Sequence, residues 1–199
     1  MKGKLVVFEG IDNCGKDTIL YAVKCKLGHK YRYTIVPSVT PTETGRLIRL
    51  ASTLNENKDM LVPLFVADFY NKVDMIKEAL SIGHLVFCNR WITSTMAYCN
   101  STRQALSIPN FVGETIKPDL TIYLKITAEE SVRRQKGTPK TSDIYSVPDV
   151  LKNAIVRYET FLTKEEFNVV TIDAMEPKNI VVENVLSILQ EKGITNERE

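Results

Sequence analysis

Residues 10–17 read Gly10-Ile11-Asp12-Asn13-Cys14-Gly15-Lys16-Asp17, the spacing G-x-x-x-x-G-K of a phosphate-binding loop. Its chemistry needs backbone N–H groups that converge on phosphate oxygens, and glycines that open backbone conformations closed to other residues. Lys16 supplies a charge that reaches the β- and γ-phosphates of a nucleoside triphosphate. Asp17 stands where Ser or Thr ordinarily binds the metal, and Thr18 follows it. A second group is Asn89-Arg90-Trp91-Ile92-Thr93-Ser94-Thr95-Met96-Ala97-Tyr98. An arginine just beyond a buried strand can grip phosphate through paired hydrogen bonds. Taken alone, Arg90 fits a structural pair with a neighbouring carboxylate equally well. Lys136 precedes, and Lys140 lies within, a polar stretch, Gly137–Asp143, that reads as a mobile lid or as a plain surface loop.

These groups need elements to position them. Lys4–Phe8 is an apolar run that suits a buried parallel strand. From Thr18 onward, Ile19, Leu20, Val23 and Leu27 recur at helix spacing, and Gly28 is the stop. The loop therefore lies between a strand and a helix, the context its chemistry requires. Further strand-like runs occur at Tyr33–Pro37, Leu85–Asn89, Leu120–Ile126 and Val169–Ile172. Helical patterns fall between them, at Pro63–Ser81, Ala128–Lys136, Asp149–Glu165 and Lys178–Gln190, and Arg46 and Arg49 also sit on a predicted helix. The alternation predicts an α/β fold, a parallel sheet flanked by helices. Ligands in such sheets bind beyond the carboxyl ends of the strands, where Gly10–Thr18, Pro37–Gly45, Asn89–Tyr98 and Asp173-Ala174 all cluster.

The chain's 199 residues fit a single domain, 1–199, and a net charge of +2 argues against a broad nucleic-acid or membrane footprint. Cys14, Cys25, Cys88 and Cys99 show no C-x-x-C spacing and have only His29 and His84 beside them, which excludes the usual zinc patterns. Reduced thiols in a cytoplasm fit this usage. Cys14 lies at a helix start that could lower its pKa; the plainer reading is a small residue that fits the loop. No signal peptide or transmembrane run is evident.

Four stretches, in order, carry a resemblance. Asn89–Tyr98 is similar to the D-R-[YH]-x-x-S-x-x-A-Y signature of the thymidylate kinase family, nucleoside monophosphate kinases, most like the bacterial-type members. Pro118–Leu124 resembles that family's P-D-L-T-[IL]-Y-L strand, Thr171–Ala174 its T-I-D-A segment, and Arg157-Tyr158 an R-Y pair in the helix after the lid. The resemblance runs from about Lys4 to about Leu189. It implies a P-loop nucleoside monophosphate kinase fold, a five-stranded parallel sheet with a lid at about 133–146. The implied activity is ATP + dTMP to ADP + dTDP, a transferase step toward dTTP, with Mg²⁺, in a cytoplasmic homodimer.

By the same resemblance, Lys16, Arg90 and Arg134 are the catalytic cations. ATP meets Gly10 to Thr18 (Gly10, Ile11, Asp12, Asn13, Cys14, Gly15, Lys16, Asp17 and Thr18), with Arg133, Lys136, Asp173 and Ala174. The acceptor meets Asp12, Pro37, Phe65, Phe69, Arg90, Ser94, Thr95 and Tyr98, with Tyr98 under the sugar. Asp17 and Asp12 are the metal candidates. Some members carry an arginine at the position of Asn13; members without it draw one from the lid, and Arg134 is the first choice among Arg133, Arg134, Lys136 and Lys140. A solvated charged helix face is the alternative reading of these four.

The chain departs from the pattern at four places. Asp17 replaces a hydroxyl; a carboxylate suits a hard cation, directly or through water, or else it points away. Asn89 replaces an aspartate beside Arg90. Val36-Pro37-Ser38-Val39 lacks the aromatic and the arginine that face the acceptor, with Arg46 or Arg49 as replacements unless they face solvent. Phe69 fills the place of an arginine that reaches thymine, so base discrimination is weakened. A deoxynucleoside monophosphate kinase of other, modified or broader base specificity is therefore the nearest rival. Behind it stand a deoxynucleoside kinase and a non-enzymatic nucleotide-binding protein.

Overall fold

A computed structural model describes residues 3–54, 58–99, 102–112, 116–135, 147–163 and 167–195. Five strands, β1 (Lys4–Glu9), β2 (Tyr33–Val36), β3 (Leu85–Asn89), β4 (Leu120–Lys125) and β5 (Val169–Asp173), make one sheet in the order β2-β3-β1-β4-β5. Every pairing is parallel, so the carboxyl ends of all five strands share one edge. The five-stranded parallel sheet expected from the sequence is met.

β1 runs through the middle and explains the layering. Its residues alternate between faces, as a pleated strand requires. Val6 and Phe8 join one apolar cluster with α1 (Lys16–Leu27), α7 (Pro148–Phe161) and α8 (Lys178–Glu191). Leu5 and Val7 join the other, with α3 (Lys58–Ser81), α4 (Ile92–Ala97) and α5 (Thr102–Val112). Both faces are covered, which is why the strands read as unbroken apolar runs.

Helix bounds differ from expectation at a few points. The helix expected at Pro63–Ser81 runs back to Lys58, so Pro63 lies inside it and removes one backbone hydrogen bond there. α7 ends at Phe161 rather than at residue 165, which lies outside the described residues. α6 (Ala128–Gln135) covers the start of the expected lid; Lys136, Lys140 and the rest of it lie outside the described residues. α4 has six residues, too few to show a period in sequence.

α2 (Glu43–Thr53) and α3 position one wall of the site. The Thr42 hydroxyl caps α2 by accepting from Gly45 N at 3.4 Å. Asp68 of α3, 1% exposed, accepts from Thr40 N at 3.1 Å and from the Thr40 hydroxyl, fixing the chain before α2 to α3. On α3, Phe69, Val73 and Ile76 form the stripe that faces the sheet.

Candidate active site

The glycine-rich turn sits between β1 and α1. Gly10 has φ 142, and a Cβ there would lie 2.6 Å from the Leu124 carbonyl oxygen, so no other residue fits without displacing β4. Asn13 has φ 58, a left-handed conformation that Asn tolerates better than most side chains. Lys16 is folded into the loop: its Nζ donates to the carbonyls of Gly10 (2.9 Å) and Ile11 (2.8 Å) and to Cys14 Sγ (3.4 Å). Burial, then the nearby Arg90 charge, push the Lys16 ammonium below its usual pKa. An incoming phosphate anion reverses that bias. Cys14 is buried and acts as a small packing residue in contact with the lysine.

The strongest polar cluster is centred on Glu9, which is fully buried at the end of β1. One carboxylate oxygen accepts from Trp91 N (2.8 Å), Ser94 N (3.2 Å) and the Thr93 hydroxyl. The other accepts from the Ser94 hydroxyl (2.6 Å) and the Tyr158 hydroxyl (3.0 Å). A buried carboxylate is tolerated because its lone pairs are met by donors. Burial, then the Glu9 charge, hold the Tyr158 hydroxyl well above the usual phenol pKa, so it stays a donor.

Arg90 sits on the segment that Glu9 anchors. Its backbone is left-handed (φ 66), a conformation that costs a non-glycine residue about 1–2 kcal/mol. Arg90 N donates to the Phe8 carbonyl at 2.9 Å, and the Arg90 carbonyl accepts from Cys88 Sγ (3.2 Å) and Lys72 Nζ (3.4 Å). The guanidinium donates to the Gly10 carbonyl and the Ser94 hydroxyl, each at 3.2 Å, to the Tyr158 hydroxyl at 3.4 Å, and pairs with the Asp12 carboxylate. Burial works against its charge, but Asp12 together with Tyr158, Tyr98 and Glu9 outweighs it and keeps Arg90 cationic. Tyr98 completes the group: its ring lies 5.4 Å from the guanidinium carbon, and its hydroxyl accepts from Asp12 N at 2.9 Å.

A cavity of about 670 Å³ opens beside Arg90, within the size range of small-molecule sites. Of the acceptor residues expected from the sequence, Asp12, Phe65, Phe69, Arg90, Ser94, Thr95 and Tyr98 line it together. At the Pro37 end the wall is formed by Ser38 and Val39. Ser94 has little left for a ligand, since Glu9 and Tyr158 (2.7 Å) occupy its hydroxyl. Phe69 is 3% exposed and meets Trp91 edge-on at 4.5 Å. Of the two replacement arginines, Arg46 turns outward onto Glu43 at 2.7 Å, while Arg49 lies on the cavity rim and donates to the Thr40 carbonyl at 3.3 Å.

Two departures from the family pattern meet. Asn89 Nδ2 donates to Asp17 Oδ1 at 2.6 Å. The carboxylate expected at residue 89 stands at residue 17 instead, and the uncharged partner stands at 89. The pair keeps one carboxylate and one hydrogen bond with the positions exchanged. Asn89 is 3% exposed, and its Oδ1 is buried without a partner.

α6 closes the other side of the loop. Ser131 is fully buried; its hydroxyl donates to the Asp12 carbonyl at 2.7 Å and accepts from Asn13 Nδ2 at 3.4 Å. Arg134 spans the loop and the turn after β5, donating to the Asn13 carbonyl (3.4 Å), the Cys14 carbonyl (3.3 Å) and the Ala174 carbonyl (2.7 Å). Glu130 orients it at 2.6 Å. Hydrogen bonds from Arg133, then Arg134, pull the Glu130 carboxyl down to about 2. Arg133 is otherwise solvent-facing. Asp173 is exposed, and its carboxylate accepts from Met175 N at 2.8 Å, which shapes the turn that presents Ala174.

Sequence reasoning missed Glu9, Lys72, Ser131 and the linking role of Tyr158. The signals were an acid closing an apolar strand and a lysine beside the apolar stripe Phe69–Val73–Ile76.

Comparison with known proteins agrees with this geometry. The family profile described as Thymidylate kinase matches residues 8–185. A thymidylate kinase of Lactobacillus helveticus is 30% identical over 96% of this chain and 98% of its own length. A probable thymidylate kinase of Methanococcus aeolicus is 32% identical over 88% of this chain and 84% of its own. A solved thymidylate kinase of Candida albicans superposes with a TM-score of 0.80 at 19% identity, covering 96% of this chain and 93% of that one. That likeness concerns the fold.

Two measurements check the site's construction. Glu9→Gln turns an acceptor into a donor facing donors and costs about 2–3 kcal/mol, seen as a fall in Tm of about 4–12 °C. Unchanged Tm contradicts the anchoring role. Asn89→Asp sets two carboxylates at hydrogen-bond distance and costs about 2 kcal/mol, roughly 4–8 °C at neutral pH. Adding Asp17→Ser restores most of it; a loss that the second change leaves in place means the two positions are independent.

Proposed function

Because the chain belongs to the thymidylate kinase family, we propose that it transfers the γ-phosphoryl group of ATP to dTMP, with the glycine-rich loop as the donor half of the site and the Arg90 cavity as the acceptor half. The observation that carries this reading is the adjacency of the halves: Arg90 touches the Gly10 carbonyl of the loop and lines the acceptor cavity. Phosphoryl transfer needs two polyanions in line and their charge neutralised; it needs no protein nucleophile.

Each group then has a role in this reading. The loop N–H groups and Lys16 hold the β- and γ-phosphates once Lys16 leaves its loop carbonyls. Arg90 takes the acceptor phosphate, releasing Asp12 toward the sugar hydroxyl. Tyr98 lies under the sugar. Arg134 contacts the loop where Asn13 offers no cation, and its Ala174 contact supports a position along ATP between phosphates and base. Arg133 and Asp173 flank it, and Lys136 lies outside the described residues.

The oxygens of this site suit Mg²⁺, which seldom uses an all-protein cage and binds through one or two carboxylates plus phosphates. Among the described residues no cluster of three or more acidic, Cys or His ligands exists; the donors that fit are the Asp17 carboxylate, with the unpartnered Asn89 Oδ1 beside it, and the Asp12 carboxylate once Arg90 releases it. Bound there with ATP, the ion would neutralise phosphate charge. A homodimer belongs to the same proposal, supported by exposed Leu47 and Leu50 on α2, Leu54 just after it and Tyr70 on α3. Among the described residues no helix is long and apolar enough to cross a membrane, and none of the four cysteines is in a disulfide; the thiols support a cytoplasmic setting.

A second reading, broader base acceptance, is favoured by Phe69. It is packed on Trp91 and offers the base no hydrogen-bond donor, so rejection of other bases is weak.

The test is turnover of dTMP, dUMP, dCMP, dGMP and dAMP with ATP and Mg²⁺, followed by ADP release. dTMP is expected to lead, with other pyrimidines within about 100-fold. A clear preference for another base moves the second reading to first place. No turnover by folded protein that binds ATP removes the kinase reading. Arg134→Ala is expected to lower kcat at least about tenfold; a loss under threefold, below about 1 kcal/mol of barrier, leaves Arg134 a strut between loop and turn.

A further inference from the structure

Lys72 is a buried lysine with no ion pair among the described residues; burial pulls its ammonium below its usual pKa, and Cys88, Asp68 and Glu9 offset only part of that. It lies on α3 one turn beyond Phe69, is 5% exposed and lines the acceptor cavity. Its Nζ reaches two backbone carbonyls, of Asn89 at 3.5 Å and of Arg90 at 3.4 Å. Among the described residues no carboxylate forms an ion pair with it, and Asp68, one turn earlier, is held by Thr40. Contacts of that length are weak. A buried ammonium left with carbonyls alone is poorly compensated.

The same cavity is short of one cation. The segment after β2 carries Ser38-Val39 where the family pattern has an arginine at one or the other position; Arg46 points away, and Arg49 is exposed at the rim. At the floor, the Arg90 guanidinium is shared with Asp12. One shared guanidinium is a thin complement for a dianionic phosphate.

We propose that Lys72 is the second cation for the acceptor's phosphate, reaching it from the cavity floor in place of the missing arginine. This rests on the kinase reading above. A compact ammonium suits a floor narrowed by Phe69 and Trp91 better than a planar guanidinium. Phosphate binding moves Nζ off two long carbonyl contacts onto charged oxygens. The competing role is purely structural, a prop for the left-handed backbone of Arg90.

The two roles separate when acceptor binding is compared with and without the phosphate. Calorimetric Kd values for dTMP and for thymidine are measured on the wild type, Lys72→Met and Lys72→Gln, with ATP binding as the check on folding. Loss of one charge-assisted contact weakens dTMP about 10–100-fold, and thymidine changes less than about threefold. Equal losses for both ligands overturn the proposal in favour of the prop. So does a preference for dTMP over thymidine that survives undiminished. Gln can still donate to the carbonyls but carries no charge. If Lys72→Met does not fold, Lys72→Gln decides alone: the preference falls if charge matters and stays if the prop matters. A wild type that binds dTMP no better than thymidine has no phosphate subsite, which removes the kinase reading and this assignment together.

Discussion

One buried carboxylate organises the catalytic edge of the sheet. Glu9 closes the central strand, and its five hydrogen bonds run to the backbone and side chains of residues 91–94 and to Tyr158 of α7. Without a partner in water, each of those donors would be costly to bury, and so would the carboxylate. Satisfied together, they fix the path of the chain after β3. Arg90 is held left-handed at the head of that path and over the phosphate loop. The phosphate loop and the Arg90 cavity thus share a scaffold built on β1, and neither can shift far without breaking bonds of the other.

The loop and its surroundings depart from family habit in a correlated way. Taken one at a time, Asp17 and Asn89 look like two losses. Across a 2.6 Å hydrogen bond they are one exchange. Asn13 offers no cation, yet Arg134 arrives at its carbonyl from α6, with Ser131 fastening the same loop three residues earlier. Both departures are matched by a neighbour in space rather than in sequence.

Much of the fold was legible because it rests on short-range regularities. Unbroken apolar runs mark strands covered on both faces, and all five were found to within two residues at each end. Most of the long helices betray themselves by period, but α5, at eleven residues, went unrecognised, and α4, at six, has too few turns to show one. The phosphate loop and Arg90 were found because their spacing is local. Glu9 was passed over because its partners lie 82 to 149 residues away, a distance that only the closed sheet removes. Lys72 was hidden for the opposite reason: beside an apolar stripe, a lysine reads as a snorkelling flank, and only burial shows that its amine stays inside.

The Asp12–Arg90 pair also bears on how fast an anionic acceptor can arrive. A bare cation at the mouth of a cleft projects a field that draws anions from solution and speeds association, at a rate that falls with salt. Here the guanidinium is already neutralised by Asp12, Asp68 stands in the wall, and the whole chain carries only +2. What field the cavity projects is then left to Lys72 and Arg49, which also line it, so on the kinase reading the salt dependence of acceptor association reports those two side chains rather than Arg90.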